Sequence, residues 1–413
     1  TEVVEEIETE DPTLNYPDTL VICLGAEPDT LYQYGGNMLA AAQVQEAFQD
    51  GPIDNRSFGY QPVILEKIPS LADGDAVIVP IEVNDGDYVI AEGRPKTLDV
   101  GDLIRPSGCR SADCEISYSG GTVEMDQLMV YFELLPGLMW DDGSPLTTDD
   151  SIYAFNLIAD SDTPMSKFVT DRTMDYTALD DQNLLWAGIP GYMDSTYFQN
   201  FFGPMPEHAY GQFTAAELLE ANVSAREPVG YGPYRMVEWA TGDMILMEKN
   251  PYYFRADEGL PYFDTLIYRF IGENSNANIA ALMAGECDIL DQTAHLDDES
   301  ELLLELQNAG DLMATFVTGT VWEHADFGIN PFEYDDGWQS YDRPQFFTDA
   351  RTRRAIAMCM DRQAVVDTVM LGQSLVMHTY LPPQHPLFNA DVTQYPFDVE
   401  QGSALLEEVG WID

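Results

Sequence analysis

Four aspartates crowd the stretch "WDDGSPLTTDDSIYAFNLI", residues 140–158, a density of oxygen ligands that suggests calcium. A calcium-binding loop of the helix-loop-helix kind needs ligands at alternate positions, glycine at position 6 and a closing glutamate. Asp141, Asp142 and Gly143 do not fall in that register. A helix start explains more. Thr147 and Asp150 have the spacing of a capping-box variant, Asp149 and Asp150 suit the positive end of the helix dipole, and Ile152, Phe155 and Ala159 share a face.

Other chemistry is thin. The chain holds no Gly-x-Ser-x-Gly elbow, His-Glu-x-x-His pair, phosphate-cradling loop or dinucleotide glycine fingerprint. His208, His295, His324, His378 and His385 are scattered. Paired carboxylates of a secreted hydrolase could be nominated anywhere among 72 acidic residues, so that alternative carries little information. Cys109 and Cys114, in the polar "SGCRSADCEI", are close enough to close a small disulfide ring, which points to an oxidising compartment. A zinc site would need two more ligands, and no second Cys-x-x-Cys or His pair supplies them, so no metal or cofactor is expected. Cys23, Cys287 and Cys359 sit among apolar neighbours and read as buried thiols.

What the chain does supply is aromatic surface near strand ends: Tyr32, Tyr34, Trp140, Trp322 and Phe327. Aromatic walls bind peptides, sugars and apolar groups at low entropic cost. Core packing is the expected role of Phe327 and Trp140. Trp322, beside Glu323, His324 and Asp326, is the candidate ligand-facing ring, with His324, Tyr32 and Tyr34 as companions.

The elements that position these residues belong to a large folded chain. Its 413 residues exceed one ordinary core, and 45% hydrophobic content excludes global disorder. The net charge of −54 would repel a phosphate backbone, which excludes nucleic acid as a partner. That charge serves either cationic ligands or, more simply, a solvated surface suited to solubility or high salt. No run approaches the roughly 20 apolar residues of a membrane helix. The opening "TEVVEEIETEDPTLNYPDTL" lacks the basic and apolar regions of a signal peptide, and residues 1–18 read as an acidic disordered tether.

Beyond the tether, "TLVICL" is a strand that ends at the Glu27-Pro28-Asp29 turn, and "NMLAAAQVQEAFQ" a helix. "DAVIVPIEV", "DYVIAEG" and "TVEMDQLMVYFEL" are strands; in the last, Val130, Phe132 and Leu134 alternate with Tyr131 and Glu133 as on a half-buried sheet. In "GYGPYRMVEWATGDMILMEKNPYYF", Gly230, Gly232 and Pro233 set a sharp approach to one strand. Gly242 and Asp243 turn a hairpin there, and Asn250-Pro251 ends the second strand. "ENSNANIAALMAGECDILD" is a helix feeding a short strand, and "DLMATFVTGTVWEHADFGIN" is strand material. Three further helices follow: one capped by Thr348, one by Asp361, and one running from Asp398 to Gly410.

Taken together these blocks resemble family 5 of the extracellular solute-binding proteins, the peptide receptors of ATP-driven importers. "VGYGPYRMVEWATGDMILMEKNPYYF" resembles the family signature, with Tyr231 in place of its usual threonine and Phe254 in place of its usual tryptophan. "EPDTLYQYG", "FELLPGLMWDDGSPLTTDDSIYAF", "ALMAGECDI", "DARTRRAIAMCMDRQAVVDTVMLGQ" and "FDVEQGSALLEEVGW" match further family blocks in the family's order, across residues 19–413. Residues 75–123, with "RPSGCRSADCEISYSGG", stand outside the core pattern as an insertion.

The resemblance implies an α/β, periplasmic-binding-protein-like architecture of two lobes, type II with three subdomains, that closes on ligand about a hinge. The expected division is a first lobe over 19–271, with an inserted subdomain over roughly 40–195, and a second lobe over 272–413 that is truncated. The implied function is non-enzymatic: capture of a small solute, above all a peptide, and delivery to an ABC permease and its ATPase. The implied setting is extracytoplasmic, as a monomer with peripheral or lipid-tethered membrane association. A ligand-sensing module on the same fold is the remaining alternative. The family's aspartate that holds a peptide's amino terminus lies beyond the last block and carries over to no position here.

Overall fold

The computed structural model describes residues 18–56, 58–317, 322–329 and 346–411. The acidic tether lies outside them, apart from Asp18. The chain divides into two compact units, one ending at Asp298 and one beginning at Glu299.

In the first unit, β1 (Thr19–Leu24) leads through a long loop to α1 (Leu39–Phe48), and β2 (Ile53–Arg56) with β3 (Gly59–Pro62) forms a ribbon that pairs with no other strand among the described residues. Next come β4 (Ala76–Val83), β5 (Tyr88–Ala91), β6 (Arg94–Thr97), β7 (Leu103–Ile104), β8 (Ile116–Ser117) and β9 (Val123–Glu133). After α2 (Thr148–Ala159), β10 (Thr173–Ala178) and β11 (Asn183–Gly188), the chain makes three single-turn helices: α3 (Glu207–Tyr210), α4 (Ala215–Leu218) and α5 (Asn222–Ala225). The hairpin β12 (Tyr234–Ala240) and β13 (Met244–Lys249) precedes β14 (Thr265–Phe270), α6 (Ser275–Met283) and β15 (Ile289–Leu290).

Three sheets organise these elements. The main sheet runs β12-β13-β14-β1-β15, antiparallel through β12, β13 and β14, with β1 parallel to both β14 and β15. Val44 and Phe48 of α1 are fully buried in the core they share with Ile245, Met247, Leu266 and Tyr268. The antiparallel sheet β10-β11-β9-β4 buries Val130, Phe132, Trp140, Leu184 and Trp186, while Tyr131 stays exposed, as the alternation predicts. A small sheet, β6-β5-β7-β8, closes its own core around Val89, Leu98, Ile104 and Met125. Its strands lie within residues 75–123, the stretch read as an insertion, but β4 of that stretch belongs to the neighbouring sheet.

Several expectations change. Helix α6 and β15 belong to the first unit, because β15 pairs with β1 and Cys23 of β1 is disulfide-bonded to Cys287. The boundary therefore lies after Asp298 rather than at residue 272. Helix α1, whose residues from 40 onward fall within the subdomain expected over roughly 40–195, packs on the main sheet. Cys23 and Cys287 are not free thiols, and Cys359, the remaining free cysteine, is exposed rather than buried. Cys109 and Cys114 form the expected disulfide.

The second unit contributes α7 (Ser300–Ala309), α8 (Ala350–Cys359), α9 (Arg362–Thr368) and α10 (Val399–Glu408). Helices α8 and α10 cross where Gly402 lacks a side chain; a Cβ there would lie 2.6 Å from Cys359 Sγ. Asp349, not Thr348, caps α8, its carboxylate accepting from Arg351 N at 2.8 Å. Asp361 and Asp398 cap α9 and α10 as expected. The described residues of the segment read as strand material, 311–317 and 322–329, form no strand.

Candidate functional site

The β1–α1 loop carries Tyr32 and Tyr34, and its path is set by polar contacts made by its own short side chains. Asp29 Oδ1 accepts from Thr30 N at 2.8 Å, and Thr30 Oγ1 accepts from Tyr32 N at 3.1 Å. Leu31 N donates to Ala225 O at 2.9 Å, and Gln45 Nε2 of α1 donates to Leu31 O. At the loop's start, Glu27 receives Trp239 Nε1 at 2.8 Å and Gly242 N at 3.0 Å, while Arg226 lies 3.8 Å over the Trp239 ring. The tryptophan and turn glycine of the signature hairpin thus anchor the loop.

Both tyrosines turn inward. Tyr32 is 1% and Tyr34 7% exposed, in a cluster with Ala154, Leu157, Met205 and Tyr210. Tyr32 meets Tyr34 and Tyr210 edge-on, with ring centroids 5.5 and 6.3 Å apart. Burial raises the phenol pKa of each. In this structure the pair packs the core in place of the ligand-facing role expected of it. The hydroxyls of Tyr32 and of neighbouring Tyr153 are buried without a hydrogen-bond partner among the described residues.

The second unit holds the other two candidates, and both are open to solvent. Trp322 is 42% exposed and stacks on His324 with centroids 4.2 Å apart and planes at 35°. His324 Nε2 lies 3.2 Å from Asp326 Oδ2. Such an arrangement presents an aromatic face beside a donor and an acceptor, which suits a peptide group or a sugar ring.

Three of the four aspartates in the stretch, Asp141, Asp142 and Asp150, accept from the chain's own donors. Asp150 closes the predicted capping box on α2 and also accepts from Trp140 Nε1 at 3.3 Å. Asp142 accepts from Ser144 N and pairs with His208 Nε2 at 2.8 Å. Asp141 accepts from Gly230 N at 2.9 Å, and burial pushes its carboxyl up to about 6. No group of three or more His, Cys, Asp or Glu among the described residues could hold a metal ion.

The Asp141–Gly230 bond joins two blocks that look unrelated in the sequence, and it shows why the signature needs its glycines. Neither Gly230 nor Gly232 has a positive φ. A Cβ on Gly230 would lie 2.0 Å from Phe48 O, and one on Gly232 2.5 Å from Phe48 C. The signature backbone runs directly over the end of α1, where Gly232 N donates to Phe48 O. Close approach, rather than turn geometry, selects glycine here. Asn250 then ties the far end back, Nδ2 to Gly232 O at 2.9 Å, and the Tyr253 hydroxyl donates to Asp50 at 2.5 Å.

A sequence profile of the bacterial extracellular solute-binding proteins, family 5 middle region, matches residues 116–413. The chain belongs to that family. Among curated relatives, the oligopeptide-binding protein AppA of Bacillus subtilis is 26% identical over 315 residues, covering 72% of this chain and 52% of the relative. Two solved oligopeptide-binding proteins share the fold. The oligopeptide-binding protein of Thermus thermophilus, complexed with a pentapeptide, has a TM-score of 0.58 at 22% identity, covering 96% of this chain and 64% of that one. A periplasmic oligopeptide-binding protein of Thermotoga maritima with bound mannohexaose has a TM-score of 0.57 at 16% identity, covering 97% and 64%. The chain spans about half the length of the curated relatives it matches. No helix among the described residues is long and apolar enough to cross a membrane.

Proposed function

We propose that this chain is the solute-capturing part of an importer receptor, working outside the cytoplasm and handing a small solute to an ABC permease and its ATPase. The family match over residues 116–413 carries the reading. A peptide is the favoured solute, because the relative AppA is an oligopeptide-binding protein and the solved Thermus neighbour holds a pentapeptide. The two disulfides favour an oxidising compartment. Association with the membrane is peripheral or through a lipid tether, and the receptor acts as a monomer.

Function here is binding free energy rather than bond chemistry. A ligand drives closure only through its differential affinity for the closed form. Trp322 and His324 supply the aromatic and polar contacts of the second unit.

The test is native mass spectrometry of the protein purified from its source without refolding, followed by melting curves against peptide and oligosaccharide libraries. A retained peptide mass and a peptide-dependent rise in Tm are expected. Response to sugars alone would replace the cargo, and response to neither library would overturn the receptor reading.

A further inference from the structure

We propose that the first unit holds a binding site of its own, for a short zwitterion with an apolar side chain, in the cleft where the β2–β3 ribbon meets the segment after the signature hairpin. The cleft has a volume of about 520 Å³, a size that suits a small molecule. All its lining residues belong to the first unit, so none is shared with the Trp322 and His324 face. The site goes beyond the receptor reading, which assigns nothing to this surface.

One wall of the cleft is apolar, formed by Val63, Leu135 and Phe254. The rest brings both signs of charge together. Asp54 and Arg56 are alternate residues of β2, so their side chains leave the same face, about 7 Å apart at the backbone. Asp50 follows the end of α1, and Arg255 follows the Asn-Pro-Tyr-Tyr-Phe end of the signature.

Each charged group keeps unused bonding capacity. Tyr253 donates to Asp50 Oδ2 and Arg56 Nη2 to Asp54 Oδ2, which leaves Oδ1 of both carboxylates without a donor among the described residues. A guanidinium carries five N–H donors. Arg56 spends one on Asp54, and Arg255 spends Nε and Nη2 on Glu258. These pairs are local and solvated: Arg56 is 70% exposed and Glu258 57%, and exposed pairs of this kind contribute little. A ligand exchanges for them at small cost.

The charge balance says what the ligand must bring. The carboxylates of Glu46, Asp50, Asp54 and Glu258 outnumber the guanidinium groups of Arg56 and Arg255. Burial raises the carboxyl pKa of Glu46 and of Asp50, and the charge of Asp54 beside them adds to it. An ammonium against the open Asp50 and Asp54 oxygens supplies the missing positive charge. A carboxylate on the same molecule then meets the open donors of Arg56 and Arg255 in charge-assisted bonds, and its side chain lies on the Phe254 wall. A free amino acid and a dipeptide share this chemistry.

Titration calorimetry with L-leucine and with L-leucyl-L-leucine tests the site, beside N-acetyl-L-leucine, which lacks the ammonium, and L-leucinamide, which lacks the carboxylate. A saturable event is expected with leucine, the dipeptide or both, and the response tells one source from the other. Removing either charge from the ligand should weaken this event by about tenfold or more, the scale of one charge-assisted hydrogen bond. Asp54→Asn and Arg56→Gln should weaken it as much while keeping the unliganded Tm, and Trp322→Ala should leave it unchanged. No event with either ligand, equal affinity for either one-charge analogue, or full affinity in both ribbon variants would overturn the inference. Binding lost in Trp322→Ala but kept in the ribbon variants would also overturn it, with the receptor reading intact. Failure of the receptor reading shows instead in the library melts and leaves this event in place.

Discussion

Aromatic residues at Tyr32 and Tyr34 and at Trp322 look equivalent along the chain, yet the structure treats them in opposite ways. The first pair is sealed in a tyrosine-rich core, held by a loop that Glu27 pins to the signature hairpin. Trp322 stands 42% exposed, supported by its neighbours His324 and Asp326. Residue type was the same signal in both places. What differs is the density of contacts from remote segments, which governs whether a ring stabilises the fold or remains free to meet a ligand.

The contrast predicts that changes around the signature hairpin cost stability, whereas changes at Trp322 cost binding. Gly230→Ala should have the largest effect, because its Cβ cannot coexist with Phe48 O at 2.0 Å. We expect a loss of roughly 3 kcal/mol or more in denaturant unfolding. A loss under about 1 kcal/mol would show that the segment is looser than the structure has it.

Next in size, Cys23→Ser should cost about 2–5 kcal/mol, since its disulfide spans 264 residues and joins β1 to the segment leading into β15. Cys109→Ser opens a ring spanning only five residues and should cost less. Parallel melts of the two variants under non-reducing conditions check the order.

Asp141 gives a pH-dependent test. Its carboxyl titrates near 6 in the folded protein, above the ordinary value, so the folded state holds its proton more tightly than the unfolded chain does. Its contribution to stability is greatest below about pH 4 and declines as the pH rises through 6. Asp141→Asn keeps an acceptor for Gly230 N and has no charge to bury. It should match wild type at pH 4 and exceed it by up to about 3 kcal/mol at pH 7. Equal pH profiles for the two proteins would remove the buried charge as a cause.

The smallest change in stability is expected for Trp322→Ala, within about 1 kcal/mol for an exposed ring. Its effect on affinity for whichever solute the native protein retains should be larger, read by titration calorimetry beside the unliganded melt. If Tm falls and affinity holds, Trp322 belongs with Tyr32 and Tyr34.

Local rules were enough for much of the fold. The capping box at Thr147 and Asp150, the caps at Asp361 and Asp398, the alternation along β9 and the Gly242 turn were all legible, because each is decided within a few residues of chain. The short-range Cys109–Cys114 pairing was legible for the same reason. The family, too, could be identified from ordered blocks of such local features.

Other features depended on segments far apart in the chain. Cys23 and Cys287 read as apolar-flanked thiols because nothing near either one shows that β1 lies parallel to β15. Gly230 and Gly232 looked like turn residues because the partner that excludes a side chain there is Phe48, at the end of a helix some 180 residues earlier. Tyr32 could be judged aromatic and near a strand end, but only the packing of Ala154, Met205 and Tyr210 around it decided that it faces inward. Sequence by itself determined the elements and their family, through short-range hydrogen bonding and periodicity. Tertiary structure alone decided which of the same residue types are buried, which are bonded and which stay open to solvent, because burial and close approach belong to pairs of distant segments and are written in neither one.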